Sequence, residues 1–494
     1  MADPISQSGL WKIQQDYYRD LGVAAWDDKT PYHLTNSQVF TDTYADLIVA
    51  YLQDHPPNLE QPLYLLELGS GTGRFAYQLV RDLRRKLQYF PELSPLRFCL
   101  VLSDIVRDNL EFWKTHERLN AVADSVDFSI LEPGREDCLF LEKAGQRLHP
   151  GANPLFVLAN YVFDSMPHDE FRFSPQGLEE CLVELMPLPN PKHSTPSRLD
   201  IRDVEVRRIY APLSERYTPQ LQAVLDHYAS RLREGAFTIP VAALECLERL
   251  RQLGSLILLS SDRGFTAIDR MTVYPAHPYS LHEGCFSHMV NYHALSLGFR
   301  TALMTRRELL DGVQTCLMGD FVLGPQLRYA FEERFARTNA LNHANEMFAP
   351  FRGKTNLRTL LGFLRLNLND PNALAAVGKQ IPQHMVSYSY GERLELLAAL
   401  EDIWANDFYF RGAPNSTFWL AHIYDALHLW DRALWFYEKT AERQGVDAML
   451  LVFQAGCLQR LNLREQAIVR YNRALELVPE MPEATEGLRS LVGN

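Results

Sequence analysis

The chain has 494 residues, 47% of them apolar and 22% charged, which is the composition of a folded protein too long for one hydrophobic core. Its formal net charge of −12 argues against a nucleic-acid binder that neutralises phosphates. The seven cysteines are scattered without a Cys-x-x-Cys pair, which indicates a reducing compartment and no thiolate zinc site. The N-terminal segment MADPISQSGLWKIQQDYYRD lacks the apolar run of a signal peptide or membrane anchor. We therefore expect a cytoplasmic protein of two or three domains that binds no nucleic acid, membrane or metal.

Short apolar segments alternate with helical segments through the first part of the chain. Residues 63–68 predict a strand, residues 75–87 an amphipathic helix, and residues 97–103 a second strand. Further along the chain, the pattern predicts a helix over 109–119 and strands over 126–131, 154–159, 255–260 and 315–323. This alternation predicts an α/β domain over residues 1–330, built on a doubly wound parallel sheet and interrupted by an insertion at about 175–250.

From about residue 331 the strand patterns fade and helical patterns dominate. Ala421, Ala433 and Tyr437 recur as Ala455, Ala467 and Tyr471, at the 34-residue period of the tetratricopeptide repeat (TPR). The pattern predicts an all-α TPR-like domain over 331–494, with its clearest repeats at 414–447 and 448–481; an ordinary helical bundle is the alternative. Stacked helix pairs offer a concave face to a protein partner or substrate.

A glycine-rich loop, Glu-Leu-Gly-Ser-Gly-Thr-Gly at 67–73, lies between the first predicted strand and its helix. Glycines permit a tight turn and a close approach of the backbone to a ligand. The third glycine comes too early for a dinucleotide fingerprint, and no Gly-Lys-Ser/Thr follows as in a phosphate loop. The loop resembles motif I of the class I methyltransferases, which implies contact with the methionine part of S-adenosylmethionine (SAM) and places Glu67 at its amino end. The implied cofactor residues in this loop are Glu67, Gly69, Ser70, Gly71 and Gly73. A glycine-rich turn without a ligand is the alternative.

Two aspartates on the next two strands are candidates for the rest of the cofactor. Asp104 ends the second strand, at the edge where open α/β sheets bind ligands, and it could accept hydrogen bonds from both ribose hydroxyls. A helix N-cap is the alternative role for this side chain. Asp127, in the sequence Val-Asp-Phe of the third strand, is a candidate for the adenine edge.

Polar residues follow the fourth predicted strand, where ligands collect in open α/β sheets. This segment, residues 158–171, resembles the Asn-Glu-Phe-Phe-Asp-Ala-Leu-Pro signature of the MidA family of methyltransferases. The matching residues are Asn160, Phe163, Asp164 and Pro167. Segments 256–265 and 285–295 are similar to two later segments of that family, with matches at Asp262, Gly264, His288 and Val290. The resemblance covers roughly residues 30–325.

The resemblance implies an acceptor site beside the cofactor. Its candidate residues are Asn160, Tyr161, Asp164 and His288, and Asn160 is also a candidate for the cofactor itself. The MidA family includes a mitochondrial assembly factor of respiratory complex I that dimethylates an arginine. Paired carboxylates hold a guanidinium firmly, but this chain has Tyr161 where the family has its glutamate, and Asn291 where the family has an aspartate. For His288, a structural role is the alternative.

These patterns predict a SAM-dependent enzyme that methylates a protein side chain, with arginine as the candidate acceptor. The insertion would shape the acceptor site, and the TPR-like region would recruit the partner. A small-molecule methyltransferase is the first alternative. The second is a SAM-binding assembly or scaffold protein without turnover, which the glutamate-to-Tyr161 departure favours.

Overall fold

The computed structural model describes residues 2–25, 35–196, 198–214, 217–268, 279–305, 313–335, 356–385 and 388–492. The chain divides into two units. The first unit consists of Met1–Asn36, Phe40–Asn342 and Phe410–Gly412, and the second of Ser37–Val39, His343–Tyr409 and Ala413–Asn494. Residues 336–355, close to the predicted start of the helical domain, lie outside the described residues.

The described part of the first unit is a mixture of strands and helices. The strands are β1 (Asp3–Pro4), β2 (Leu63–Leu68), β3 (Phe98–Asp104), β4 (Val126–Ile130), β5 (Phe140–Leu141), β6 (Gln146–Arg147), β7 (Leu155–Asn160), β8 (Asp169–Ser174), β9 (Gly177–Pro187), β10 (Val204–Pro212), β11 (Ala236–Ile239), β12 (Leu256–Phe265), β13 (Tyr279–His282), β14 (Cys285–His288), β15 (Val290–Asn291), β16 (Thr301–Met304) and β17 (Val313–Gly319). The α-helices between residues 2 and 335 are α1 (Leu10–Leu21), α2 (Gln38–Asp54), α3 (Arg74–Leu87), α4 (Arg107–Thr115), α5 (Glu117–Asn120), α6 (Pro219–Arg231), α7 (Val241–Arg251), α8 (Tyr292–Ser296) and α9 (Pro325–Tyr329).

The central sheet has the strand order β16-β17-β12-β7-β2-β3-β4, with β15 paired to the end of β12. Strands β4, β3, β2, β7 and β12 run parallel, and β17 and β16 are antiparallel additions. Every residue of β2 and of β17 is buried, as expected for strands covered on both faces. The prediction of an α/β domain with a mostly parallel sheet is confirmed, and the segment predicted as its last strand is antiparallel.

The order of the strands determines where a ligand can bind. From β2, the chain first adds β3 and β4 on one side and later adds β7 and β12 on the other. The crevice at such a reversal, at the carboxyl ends of the strands, is the binding position of open α/β sheets. The glycine loop follows β2 and the segment from Tyr161 follows β7, so both predicted motifs lie at this reversal.

A second sheet takes three of its strands, β9, β10 and β11, from the segment predicted as an insertion. It has the order β1-β9-β8-β11, and β10 pairs with β9 from Val204↔Pro187 to Pro212↔Glu179. All of its pairings are antiparallel. The N-terminal strand β1 joins this sheet at its edge, so the beginning of the chain packs with residues about 180 positions later.

The second unit is helical in its described residues. Its α-helices are α10 (Leu357–Leu366), α11 (Pro371–Val377), α12 (Tyr390–Asn406), α13 (Ser416–Ala426), α14 (Trp430–Gln444), α15 (Ala448–Arg460), α16 (Arg464–Leu477) and α17 (Pro482–Val492). The alanines of the repeat pattern, Ala421, Ala433, Ala455 and Ala467, are 0% exposed, which lets neighbouring helices approach closely. The C-terminal helical region is confirmed, and the TPR assignment stays a prediction. Among the helices that the structure describes, none is both long and apolar enough to cross a membrane.

Candidate active site

A cavity of about 440 Å³ lies at the reversal of the central sheet. One part of its wall comes from the glycine loop and the ends of β3 and β4, at Gly69, Asp104 and Leu131. Other parts of the wall come from the loop after β7, the start of β8, helices α6 and α7, and the N-terminal helix α1. The volume is in the range of cavities that bind cofactors and drug-sized ligands.

The loop after β2 is built on three glycines in the left-handed region of the backbone. Gly69, Gly71 and Gly73 have φ angles of 62°, 51° and 78°. Only glycine adopts this conformation without steric cost. A Cβ on Gly69 would lie 2.8 Å from the side chain of Val162, and one on Gly73 would lie 3.0 Å from Leu102. The glycines therefore serve both the turn and the close packing around it.

Two neighbouring elements hold this loop in place. The Ser103 amide of β3 donates to Ser70 Oγ at 3.1 Å, and Ser70 N donates to the Ser103 carbonyl at 2.9 Å. Trp113 Nε1, from α4, donates to the Gly71 carbonyl at 3.0 Å. The contacts of Ser70 and Gly71 thus hold the loop against β3 and α4, whereas Gly69 lines the cavity.

Glu67 is a buried carboxyl with an unsatisfied oxygen. Its side chain belongs to β2, the residue is 6% exposed, and Oε2 has no hydrogen-bond partner among the described residues. Burial, reinforced by the nearby Asp104 carboxyl, raises the pKa of Glu67 to about 8. A buried acceptor without a donor is costly, and an ammonium group would satisfy it. The residue therefore suits the amino end of SAM, although the cavity wall itself begins at Gly69.

Asp104 lies on the cavity wall and also organises the loop. Its Oδ2 accepts from Gly71 N at 3.1 Å and from Asn109 Nδ2 at 3.0 Å, and Oδ1 accepts from Val106 N at 3.0 Å. Burial raises the pKa of this carboxyl against these hydrogen bonds. The position of Asp104 on the cavity wall is compatible with the predicted contact to a ribose hydroxyl. The N-cap position of α4 belongs to Val106, so Asp104 does not take the capping role.

Asp127 is not at this edge of the sheet. In the β3–β4 register, Asp127 pairs with Val101, whereas Asp104 pairs with Ile130 at the ligand edge. Asp127 therefore lies three positions away from that edge. Its carboxylate accepts from the amides of Lys143 at 2.9 Å and Ala144 at 3.0 Å, so it stabilises a turn. The geometry does not support the adenine role predicted for Asp127. The cavity wall after β4 is formed instead by Leu131, Pro133 and Gly134.

Asn160 ends β7 beside β12 and α2. Its Oδ1 accepts from Tyr44 Oη at 2.7 Å and from Ser261 N at 3.1 Å, and its Nδ2 is buried without a partner among the described residues. Asn160 is absent from the cavity wall, whereas the next residue, Tyr161, lines it. Tyr161 has a φ of 52°, a left-handed conformation that costs energy for a residue with a Cβ. Strain of this kind is found where a loop is held for function.

Asp164 does not reach the cavity wall. It is 3% exposed, accepts from Ser165 Oγ at 2.9 Å, and forms a carboxyl pair with Asp262 of β12. Burial raises the pKa of both carboxyls, that of Asp164 to about 6 and that of Asp262 well above its usual value. The predicted role of Asp164 as the group that holds the acceptor is therefore not supported by the geometry. The pair lies behind the loop instead.

His288 is packed inside a stack of rings. It is 2% exposed, with ring centroids 5.5 Å from Trp11 and 4.7 Å from His168. Trp11 lines the cavity and His288 lies behind it. This position supports the structural alternative for His288. Burial lowers the pKa of His168 to about 4, so this ring is neutral at physiological pH.

The N-terminal helix α1 is the part of the site that the sequence analysis did not identify. Trp11, Gln15 and Tyr18 face the cavity. Gln14 fixes the helix to β14, because its Nε2 donates to the Phe286 carbonyl at 2.7 Å and its Oε1 accepts from Phe286 N at 2.9 Å. The available signal was the amphipathic pattern of residues 10–21, whose buried positions include Leu10, Trp11, Ile13 and Gln14.

Asp169 is a second residue whose role the sequence did not indicate. Asp169 lies two positions after the matching Pro167, begins β8 and lines the cavity. Its Oδ1 accepts from Ser6 N at 2.8 Å and its Oδ2 from Ser6 Oγ at 3.0 Å. One carboxylate therefore connects the N-terminal segment to the second sheet at the cavity.

The charged groups on the described cavity wall are mostly acidic. They are Asp104, Glu136, Asp169, Glu245 and Arg249. Arg249 Nε donates to Glu136, which also accepts from Gly134 N at 3.0 Å. Arg249 Nη1 lies 3.6 Å from the Glu245 carboxylate. Arg249 thus pairs with two of the four carboxyl groups on the described wall, Glu136 and Glu245. The acidic excess of the wall suits a ligand with positive charge.

Comparison with known proteins agrees with this site. Residues 46–270 match a family model described as "Putative S-adenosyl-L-methionine-dependent methyltransferase". The matched range contains the glycine loop, Asp104, the segment after β7 and all of β12. The chain is a SAM-dependent methyltransferase. Its cofactor is SAM, and the unsatisfied oxygen of Glu67 and the wall at Gly69 and Asp104 fit that cofactor.

The methyltransferase has no match among curated proteins. Solved structures similar to it include two from Burkholderia thailandensis: the native structure of an uncharacterized protein and a superfamily member bound to S-adenosyl-homocysteine. Their sequences are 14% and 15% identical to it, and both alignments have a TM-score of 0.42. Each alignment covers 67% of this methyltransferase, and 90% and 91% of the respective structures. At this similarity, neither structure bears on its function.

Proposed function

We propose that the methyltransferase transfers the methyl group of SAM to a cationic side chain of a protein, with arginine as the first candidate. The observation that carries this proposal is the charge of the cavity wall, whose described residues include four carboxyl groups and one guanidinium, that of Arg249. A guanidinium or ammonium group binds to such a wall through charge-assisted hydrogen bonds. The resemblance to the MidA family supports the same acceptor.

The chain's own residues would do three things in this reaction. Glu67 and Asp104 would bind the two polar ends of the cofactor, with Gly69 allowing the backbone to approach it. SAM supplies an electrophilic methyl group when bound. Asp169 and Glu245 would orient the acceptor and localise its charge away from the attacking nitrogen. Trp11 and Tyr18 of α1 would exclude water from the same cavity.

The helical unit would recruit the protein partner. The 34-residue recurrence from Ala421 to Ala455 supports a repeat architecture, and repeats of this type present binding faces. Within this unit, a cavity of about 370 Å³ is lined by residues that include Phe418, Met449 and Phe453. An aromatic and aliphatic lining of this kind suits the apolar side chains of a bound peptide.

The test is label transfer from radioactive SAM into lysate proteins, followed by acid hydrolysis of the labelled product. Methylated arginine is the expected result. Glu245→Gln should reduce transfer at least about tenfold, because one charge-assisted contact to the acceptor is lost. Glu248→Gln is the matched control: it lies on the same helix, also 3.6 Å from an arginine, and does not line the cavity.

The remaining outcomes would reject the proposal in distinct ways. Label that appears only in the small-molecule fraction would support a small-molecule methyltransferase. Binding of SAM without any turnover would support the scaffold function. Equal losses in Glu245→Gln and Glu248→Gln would show that the wall charge does not select the acceptor.

A further inference from the structure

Asn109 is a buried polar residue on the cavity wall. It belongs to helix α4, is 2% exposed and lines the cavity. The other buried positions of α4, Leu110 and Trp113, carry large apolar side chains. Asparagine has a low helix propensity, and burying its amide is costly unless both ends of the amide are hydrogen-bonded. The folding of α4 therefore does not explain why this position carries an asparagine.

The protein uses one end of the Asn109 amide and leaves the other end without a partner. Nδ2 donates to Asp104 Oδ2 at 3.0 Å. Because an ionised carboxylate only accepts hydrogen bonds, the nitrogen must face Asp104 and the oxygen must point away from it. Oδ1 is buried and has no hydrogen-bond partner among the described residues. An unsatisfied acceptor costs free energy, which a donor on a bound ligand would recover.

The unsatisfied oxygen lies beside Gly22, which also lines the cavity. Gly22 has a φ of 53°, and a Cβ at this position would lie 3.4 Å from Asn109 Oδ1. Since glycine has no Cβ, residue 22 places no side chain in the space next to the oxygen. The acceptor and this space therefore belong to the same wall as Asp104, Ile105 and Val106.

Asp104 by itself has little capacity left for both hydroxyls of a ribose. Its carboxylate already accepts from Gly71 N, Asn109 Nδ2 and Val106 N. A carboxylate offers about four lone-pair sites, so these protein donors use most of them. The two hydroxyls of a ribose are on adjacent carbon atoms, and binding both requires two acceptors that lie close together. Asp104 and Asn109 are such a pair, because one hydrogen bond joins their side chains.

We propose that Asn109 is a cofactor-binding residue, whose Oδ1 accepts a hydrogen bond from one ribose hydroxyl of SAM while Asp104 accepts from the other. The hydroxyl bound by Asn109 lies in the space beside Gly22. Gly22 directly follows α1, whose Trp11 and Tyr18 also line the cavity, so the ribose contacts the same N-terminal segment that closes the rest of the site. The contact is made to the cofactor and does not depend on which acceptor is methylated.

The test is calorimetric titration of the full-length chain with S-adenosylhomocysteine and with its 2′-deoxy and 3′-deoxy analogues. Wild type should bind each analogue at least about fivefold more weakly than the parent compound, because one hydrogen bond to a buried acceptor is lost. In Asn109→Ala, the parent should bind at least about fivefold more weakly than in wild type, and removal of one hydroxyl should then cost no more than about twofold. The other hydroxyl should keep its full effect in Asn109→Ala and lose it in Asp104→Asn.

Two results would overturn the proposal. The first is that Asn109→Ala leaves the effects of both hydroxyls unchanged, because Asn109 then contacts neither. The second is that Asn109→Ala and Asp104→Asn reduce the effect of the same hydroxyl, because Asn109 then only positions Asp104. Alanine has a higher helix propensity than asparagine, so α4 should form in the variant. The wild-type titrations are also decisive without any variant, since equal binding of the parent and both analogues overturns the proposal.

Asn153→Ala is the matched control. Asn153 is 3% exposed, its Oδ1 accepts from Asn58 N at 2.8 Å, and its Nδ2 donates to the Asn58 carbonyl at 2.9 Å. Both ends of this amide are used, and the residue is absent from the described cavity wall. The control should keep the wild-type affinity and the wild-type preference for both hydroxyls. An equal loss in the control would assign the effect of Asn109→Ala to general stability and overturn the proposal.

Discussion

Glu67→Gln is the most direct test of the cofactor site. In the free protein the Glu67 carboxyl has a pKa of about 8, so at pH 7 roughly nine molecules in ten carry it neutral. An ammonium group binds the ionised form, and binding must therefore expel a proton from Glu67. We expect the affinity for SAM or S-adenosylhomocysteine to rise about tenfold for each pH unit below the pKa.

The assay is isothermal titration calorimetry with S-adenosylhomocysteine between pH 6 and pH 8. Titrations in two buffers of different ionisation enthalpy count the protons released, and close to one is expected at pH 7. Glu67→Gln is nearly isosteric and does not titrate. The variant should bind more weakly than wild type at pH 8, and the difference between them should shrink as the pH falls to 6. A wild-type affinity that does not change with pH, or a pH slope that survives in the variant, would refute the ammonium assignment.

The same pKa shift makes a prediction for stability in the absence of cofactor. The pKa of Glu67 is raised by folding from its ordinary value of 4.5 to about 8. Its contribution to stability is therefore fully present below pH 4.5 and is lost as the pH rises towards 8, because the unfolded chain ionises first. Thermal unfolding should show Glu67→Gln gaining stability relative to wild type as the pH rises through this window.

Three further changes test the loop, the ribose site and the helical unit. Gly69→Ala should weaken S-adenosylhomocysteine binding at least about tenfold, because the new Cβ would lie 2.8 Å from the Val162 side chain. Gly145→Ala is the control and should not weaken binding, since Gly145 has a similar φ of 64° and open space around it. Asp104→Asn should weaken the same binding by roughly 1–3 kcal/mol in calorimetry, since a neutral amide cannot accept from every donor now bound there; an unchanged affinity would contradict the ribose assignment. Ala455→Leu should destabilise the helical unit by about 1–3 kcal/mol through overpacking, and the exposed Val469→Leu should leave the unfolding temperature unchanged.

The parallel sheet and one half of the site could be predicted from the sequence because their determinants are local. The apolar run 63–68, the glycines after it and the amphipathic helix from Arg74 occupy the predicted positions almost residue for residue. In a βαβ arrangement the carboxyl end of each strand lies at the ligand edge, so locating β3 was enough to locate Asp104. Asp127 shows the limit of that reasoning, since the residue is early in its strand and hence away from the edge.

The other half of the site depends on long-range packing, which a single sequence does not encode in a readable pattern. The Asp164 side chain could face either the cavity or Asp262, and both orientations fit the same signature. Its orientation depends on β12, a strand about 100 residues later in the chain. The wall at Trp11 exists because Gln14 binds the backbone of Phe286, a contact across 272 residues. The second sheet also depends on long-range packing, since β1 pairs with β9 about 180 residues later in the chain.

The cofactor half and the acceptor half of the site lie on different kinds of element, so the choice of acceptor can change while the cofactor site stays the same. Cofactor residues are fixed by the strands that form the sheet, and their substitution removes the chemistry altogether. The acceptor side is assembled from α1, β8 and α7, where Gln15, Asp169 and Glu245 each lie on a different element. Such residues can change one at a time without disturbing the sheet, because loops and peripheral helices carry specificity on a rigid scaffold. Exchanging Asp169 and Glu245 for neutral residues should therefore alter which acceptor is methylated while S-adenosylhomocysteine binding stays within about threefold, and a matching loss of cofactor affinity would show that the two halves are not separable.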